Sequence, residues 1–293
     1  IFMENFRNIL VPFDFNEQAE IALSQSYNLA RMLQLDIMLL YVHEESKMIG
    51  RLFSADQSDD MIKKIEAELA TFAEQKSKET GLTINHMVAR GKVYAKITEV
   101  AEMIQAQFII LGKESSINTI EPNVGANTSR VIRNAKCPVI TIGADTHYNG
   151  CRSILVPIDL TQESRQKVKW AIELAKMFNS TVKVLTILWS VNHKEIKNQL
   201  LTKMAQVQKF IQERNINCTA EMIEAESESD MVPSLLVYAK QQGDIDLILI
   251  MTQQETGLVP FFVNSHASDI IRRSDFPVMS IVPKDMGETL SFK

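Results

Sequence analysis

The sequence predicts an α/β protein of two tandem, doubly wound domains, each a parallel sheet covered by helices on both faces. Three observations point there. Ile9-Leu10-Val11-Pro12-Phe13-Asp14 is nearly repeated by Ile154-Leu155-Val156-Pro157-Ile158-Asp159, 145 residues further on. Later blocks recur in the same order at an offset of 139: Phe108–Leu111 with Leu247–Ile250, and Cys137–Ile140 with Phe276–Met279. Within each copy, short apolar runs alternate with amphipathic stretches, as in strands buried on both faces and joined by helical crossovers. Several blocks in one order constitute a duplication, and a repeat sets the whole architecture. His147-Tyr148-Asn149-Gly150 reads as a turn or short linker, which places the domains at 1–146 and 147–293.

The elements follow in chain order. Ile9–Phe13 is an apolar strand ending at Asp14. Glu17–Leu35 is a helix, because Ala19, Ala22, Leu23, Ser26, Leu29, Ala30 and Leu33 recur every three or four residues and line one face. Ile37–Val42 is a second strand. Met61–Lys78 is a charged helix with small apolar positions, and Lys96–Gln105 is a third helix. Phe108–Leu111 is a continuous apolar strand. Thr128–Asn134 is a helix that stops before Cys137-Pro138, since the residue preceding proline disfavours helical backbone. Val139–Ile142 closes the first copy. In the second, Gln162–Ser180, Val182–Ile187, Leu247–Ile250 and Val278–Ile281 match helix, strand, strand and strand. The acidic run Glu221–Asp230 reads as a solvated loop, and Tyr27, Trp170 and Trp189 as core or interface aromatics.

Composition excludes several classes. With 45% apolar and 23% charged residues in 293, the chain has the material of a packed core and not of a disordered segment. A net charge of −5 argues against nucleic acid, whose binding rests on neutralised phosphates. The chain lacks the ~18-residue apolar run of a membrane helix, and its opening residues lack the basic and apolar stretches of a secretory signal. Cys137, Cys151 and Cys218 show no CxxC spacing, as expected of reduced cysteines in a cytoplasmic protein.

Asp14 and Asp159 each follow a strand at its carboxyl end, where open α/β sheets bind ligands. Aspartate also serves as a helix cap or turn acid, and both readings stand. Gly112 leaves a buried strand, and Gly125 precedes a helix whose first N–H groups and dipole would favour a phosphate. Thr128 and Ser129 could add hydroxyl donors, although an ordinary glycine turn with polar caps reads the same way. No GxxxxGK[ST] loop and no GxSxG elbow occur, and the five histidines show no metal-ligand spacing.

The succession of strand–Asp, helix, strand, two helices, strand–Gly, long loop, Gly–helix and Cys-Pro-Val strand resembles the universal stress protein (UspA) family in tandem form, over residues 6–283. The resemblance implies a Rossmann-like fold of the adenine nucleotide alpha hydrolase-like kind, with five parallel strands per domain in the order 3-2-1-4-5. The ATP-binding branch of that family carries Gly-x2-Gly-x9-Gly-[Ser/Thr]. Here Gly112, Ser115 and Gly125 occupy the three glycine positions and Ala126 the hydroxyl position. Asp14 matches the acid that contacts adenosine, and Val42 the strand-end residue whose backbone meets adenine. Gly112, Ser115, Gly125, Thr128 and Ser129 would then hold phosphate. In the second copy the same positions are Met251, Gln254, Asn264 and Ser265, and all three glycines are missing.

The resemblance thus implies a stress-response binding or regulatory module rather than a dedicated catalyst, with an ATP or AMP pocket in domain 1 and a degenerate pocket in domain 2. The alternatives are a slow ATPase or nucleotidyl-transfer enzyme, and an interaction scaffold without nucleotide. It also implies that the last strands, Val139–Ile142 and Val278–Ile281, pair the domains as an intramolecular pseudo-dimer. A homodimer is compatible with this, and neither membrane nor nucleic acid is expected as a partner.

Overall fold

The computed structural model describes residues 7–44, 55–113, 125–143, 150–159, 163–189, 194–252 and 264–282. The chain separates into two compact units, Ile1–Asp145 and Thr146–Lys293. In the first, the strands are β1 (Asn8–Pro12), β2 (Asp36–His43), β3 (Ile84–Arg90), β4 (Ala106–Gly112) and β5 (Val139–Ile142). The helices between them are α1 (Glu17–Leu33), α2 (Ala55–Thr80), α3 (Val93–Met103) and α4 (Ala126–Asn134). The strands are all parallel, in the order β3-β2-β1-β4-β5.

The second unit repeats the scheme. Its strands are β6 (Ser153–Pro157), β7 (Thr181–Leu188), β8 (Cys218–Glu224), β9 (Ile245–Met251) and β10 (Val278–Ile281). Its helices are α5 (Glu163–Phe178), α6 (Lys194–Gln212), α7 (Met231–Gln242) and α8 (Asn264–Arg273). The order is β8-β7-β6-β9-β10, again all parallel. Even the irregularities recur. The ladder of β1 with β4 slips between Asn8 and Ile9, and that of β6 with β9 between Ser153 and Ile154.

The central strands explain why apolar runs mark this fold. Every residue of β9 and all but the last of β4 are buried, with Phe108, Ile109 and Ile248 fully enclosed. Helix α1 turns its small face, Ala19, Ala22, Leu23, Ser26 and Ala30, onto the sheet. It stops two residues earlier than its periodicity implies. Gln34 takes a left-handed conformation (φ 54°), and Asn179 does the same after α5 (φ 54°), turning the chain back into the next strand. The edge strands β3 and β8 had no apolar run to announce them, because they alternate and carry His86, Arg90, Glu221 and Glu224. The acidic run is accordingly not one loop, a correction to its reading above: Glu221–Glu224 belong to β8, and Glu228–Asp230 form a turn of 3₁₀ helix before α7.

Among the described residues no helix is long and apolar enough to cross a membrane. The three cysteines are free thiols. Burial raises the thiols of Cys151 and Cys218 to about 12, outweighing for Cys151 a hydrogen bond with Ser180. At pH 8 only about one in ten thousand of either is thiolate, the reactive form. We therefore expect a disulfide reagent at pH 8 to label Cys137 first, and Cys151 and Cys218 only on unfolding. Equal labelling rates at all three sites would contradict this.

Candidate functional site

In the first unit the strand order reverses direction between β1 and β4, so the crevice at their carboxyl ends is the place for a ligand. Asp14 stands there, exposed. It is not the cap of α1. Asn16 is, its Oδ1 accepting from the Ala19 N–H at 2.8 Å. Asp14 instead braces the cap: Oδ2 accepts from Asn16 Nδ2 at 2.9 Å and Oδ1 from Asn16 N at 3.3 Å. Both carboxylate oxygens therefore have one protein donor and keep lone pairs facing solvent.

Phe15 follows in the left-handed region (φ 63°), an uncommon conformation for a bulky residue, costing roughly 1–3 kcal/mol. Ring packing offsets it. Phe15 lies 5.2 Å from Phe13, 6.2 Å from Phe72 and 6.3 Å from Tyr41, centroid to centroid. This aromatic cluster ties the ends of β1 and β2 to α2. The β1–β2 ladder continues as far as Phe13 N donating to Leu40 O at 2.8 Å. Val42 lies two residues beyond that bond, half-buried, and pairs on its other side with Ala89 of β3.

Gly112 ends β4, opposite Ile142. Its want of a side chain has a packing cause. A Cβ there would stand 2.2 Å from the Gln18 carbonyl oxygen and 2.6 Å from its carbon, because the first turn of α1 rests on the strand. Gly125 is the N-cap of α4 at φ −50°, and it places no side chain on the first helical N–H groups. Those groups have no acceptor within the helix. The first turn carries no acid, Asn127, Thr128 and Ser129 are half-buried, and Arg130 is exposed beside them, packed over the Tyr94 ring at 5.1 Å. An anion is the charge this helix end would favour. Asp14, Val42 and Gly112 thus stand at or next to the carboxyl ends of β1, β2 and β4, and Gly125, Thr128 and Ser129 at the start of α4, the helix that follows β4 in the chain. Ser115 lies outside the described residues.

The second unit is built differently at the same edge. Asp159 is 1% exposed, Thr186 and Thr252 are buried, and Met251 in place of Gly112 is 3% exposed. Lys167, at the position of Ala22, is 2% exposed and donates to Pro157 O at 2.6 Å. Gln254 lies outside the described residues, and Asn264 and Ser265 begin α8.

Comparison with known proteins decides the family. The profile of the universal stress protein family matches residues 5–143 and again 150–281. The chain belongs to that family. A universal stress protein of Methanocaldococcus jannaschii is 26% identical over 141 residues, 47% of this chain and 82% of the relative. One from Synechocystis is 27% identical over 139 residues, 47% of this chain and 85% of the relative. The crystal structure of a universal stress protein from Archaeoglobus fulgidus superposes with a TM-score of 0.73 at 17% identity, covering 94% of this chain and 98% of the other. This universal stress protein is a tandem form, one family unit per domain. Sequence reasoning missed three features of it: the left-handed Phe15, the packing origin of Gly112, and Lys167. Only the last left a signal, a lysine aligned with the alanine of a buried helix face.

Proposed function

We propose that the first domain binds an adenine nucleotide, ATP or AMP, and that the protein serves stress response in the cytoplasm as a regulatory module rather than as a dedicated catalyst. The supporting observation is the contrast between the two strand-end acids: Asp14 is open to solvent and Asp159 is sealed in, while α4 of the first domain begins at a glycine without a side-chain cap. Asp14 and the backbone at Val42 hold the adenosine. The backbone at Gly112 and Gly125, with Ser115, Thr128 and Ser129, holds the phosphates. The division into domains 1–146 and 147–293 belongs to this proposal, as does pairing of the two domains through β5 and β10, each the last strand of its unit. The second domain is the partner of this arrangement and takes no nucleotide.

Calorimetric titration with ATP and AMP tests the reading. One site per chain is expected. Asp14→Ala removes one or two charge-assisted hydrogen bonds of about 1.5–3 kcal/mol each, so its affinity should fall about tenfold or more. Thr252→Val in the second domain should leave it unchanged. No heat with either nucleotide, or two equal sites per chain, would overturn the proposal.

A further inference from the structure

A lysine only 2% exposed, Lys167, is the most unusual residue described in the second domain. Side chains on a helix lean toward its N-terminus, and Lys167 in the second turn of α5 follows that rule. Its Nζ donates to the carbonyl oxygen of Pro157, the last residue of β6, at 2.6 Å. A carbonyl cannot by itself balance an ammonium taken out of water; a buried charge requires an opposite charge. Asp159, two residues beyond Pro157 and 1% exposed, is the carboxylate that the same strand end carries inside. In the first domain the corresponding pair is Ala22 and an exposed Asp14, so neither the internal cation nor the sealed acid is present there.

We infer that the carboxyl edge of β6 is a primary-ammonium site filled from within: the Lys167 ammonium, neutralised by Asp159 and held by the Pro157 carbonyl, occupies the crevice that the first domain leaves open. Its ligand class follows from these partners. A carboxylate and a carbonyl select a small cation with several N–H donors, and the space enclosed around the unbranched, buried lysine stem selects an unbranched chain. Truncating Lys167 to the alanine of the first domain would remove a propylammonium group and leave a site of that shape. This inference does not depend on nucleotide binding in the first domain.

The chain supplies its own local probe, since both tryptophans, Trp170 and Trp189, lie in the second domain. Thermal unfolding of the full chain followed by tryptophan fluorescence should show a midpoint lowered by about 10 °C in Lys167→Ala, the effect of removing the cation beside a buried carboxylate. Propylammonium chloride should recover at least half of that loss, and tetramethylammonium chloride at equal ionic strength should not. Lys167→Met keeps the volume and guards against a cavity artefact. It should be destabilised singly, and combining it with Asp159→Asn should bring the midpoint back to within a few degrees of wild type. Equal effects of the two salts on Lys167→Ala would overturn the inference. So would additive losses in the Lys167→Met and Asp159→Asn double variant, which would show that the two groups do not interact.

Discussion

Gly112→Val should unfold the first domain at a temperature lower by about 10 °C or more, from a loss of about 3 kcal/mol. The valine Cβ would stand 2.2 Å from the Gln18 carbonyl oxygen, and its nearest neighbours include backbone that cannot swing aside as a side chain tip can. Relief requires α1 to lift from the sheet. That helix buries Ala19, Ala22, Leu23, Ser26 and Ala30 beneath it, so lifting exposes much of the face that closes the first core. Gly112→Ala carries the same Cβ and should lose nearly as much. Circular dichroism and calorimetry would register the change, and tryptophan fluorescence, confined to the second domain, should move far less. A Gly112→Ala protein within about 1 °C of wild type would show that α1 does not bear on the strand as described. Met251 at the equivalent place makes the point in reverse: the second domain needs no glycine there, and Met251→Gly should leave a cavity and destabilise it.

Asp246→Ala should cost the second domain about 2–3 kcal/mol, read as a fall in the tryptophan-monitored midpoint of several degrees. Asp246 has a side chain 2% exposed at the start of β9 and accepts three hydrogen bonds from one residue. Arg152 donates from its backbone N at 2.6 Å, from Nε at 3.0 Å and from Nη2 at 2.8 Å. The Arg152 side chain is 56% exposed and can return its guanidinium to water, so the loss rests mainly on the orphaned backbone donor and the missing charge-assisted bonds. Asp246→Asn, which retains an acceptor, should fall between. The neighbouring Asp244 adds a pH dependence. Burial raises its pKa, but hydrogen bonds from Lys183 at 2.7 Å and Ser153 at 2.8 Å more than offset that and hold the carboxyl below its usual range. A depressed carboxyl stabilises fully above its unfolded pKa of ~4 and loses that contribution as pH falls through the folded value. Asp244→Asn should therefore flatten the acid limb of second-domain stability, and an unchanged acid limb would refute the assignment.

Much of this molecule was legible in one dimension. The duplication, the buried central strands and the alternation of strand and helix are properties of neighbouring residues and their period, which a sequence displays directly. So was the placement of Asp14, Val42, Gly112 and Gly125 at strand ends and a helix start, because the ends of apolar runs are local features too. Edge strands β3 and β8 were not legible by period. They bury one face at most, and their exposed charges resemble those of a loop.

What tertiary structure alone decided is which like residues differ. Asp14 and Asp159 sit in nearly the same hexapeptide, yet Asp14 is exposed and Asp159 is 1% exposed, and a lysine one helical turn into α5 donates to the second strand end where the first domain has an alanine. Gly112 reads as a ligand-facing glycine from its place at a strand end, and the backbone of α1 that a Cβ there would meet is visible only in three dimensions. Both are matters of distance between segments remote in the chain or folded back on one another. Burial and close approach belong to pairs of atoms in space, and periodicity, which belongs to neighbours along the chain, carries no measure of either.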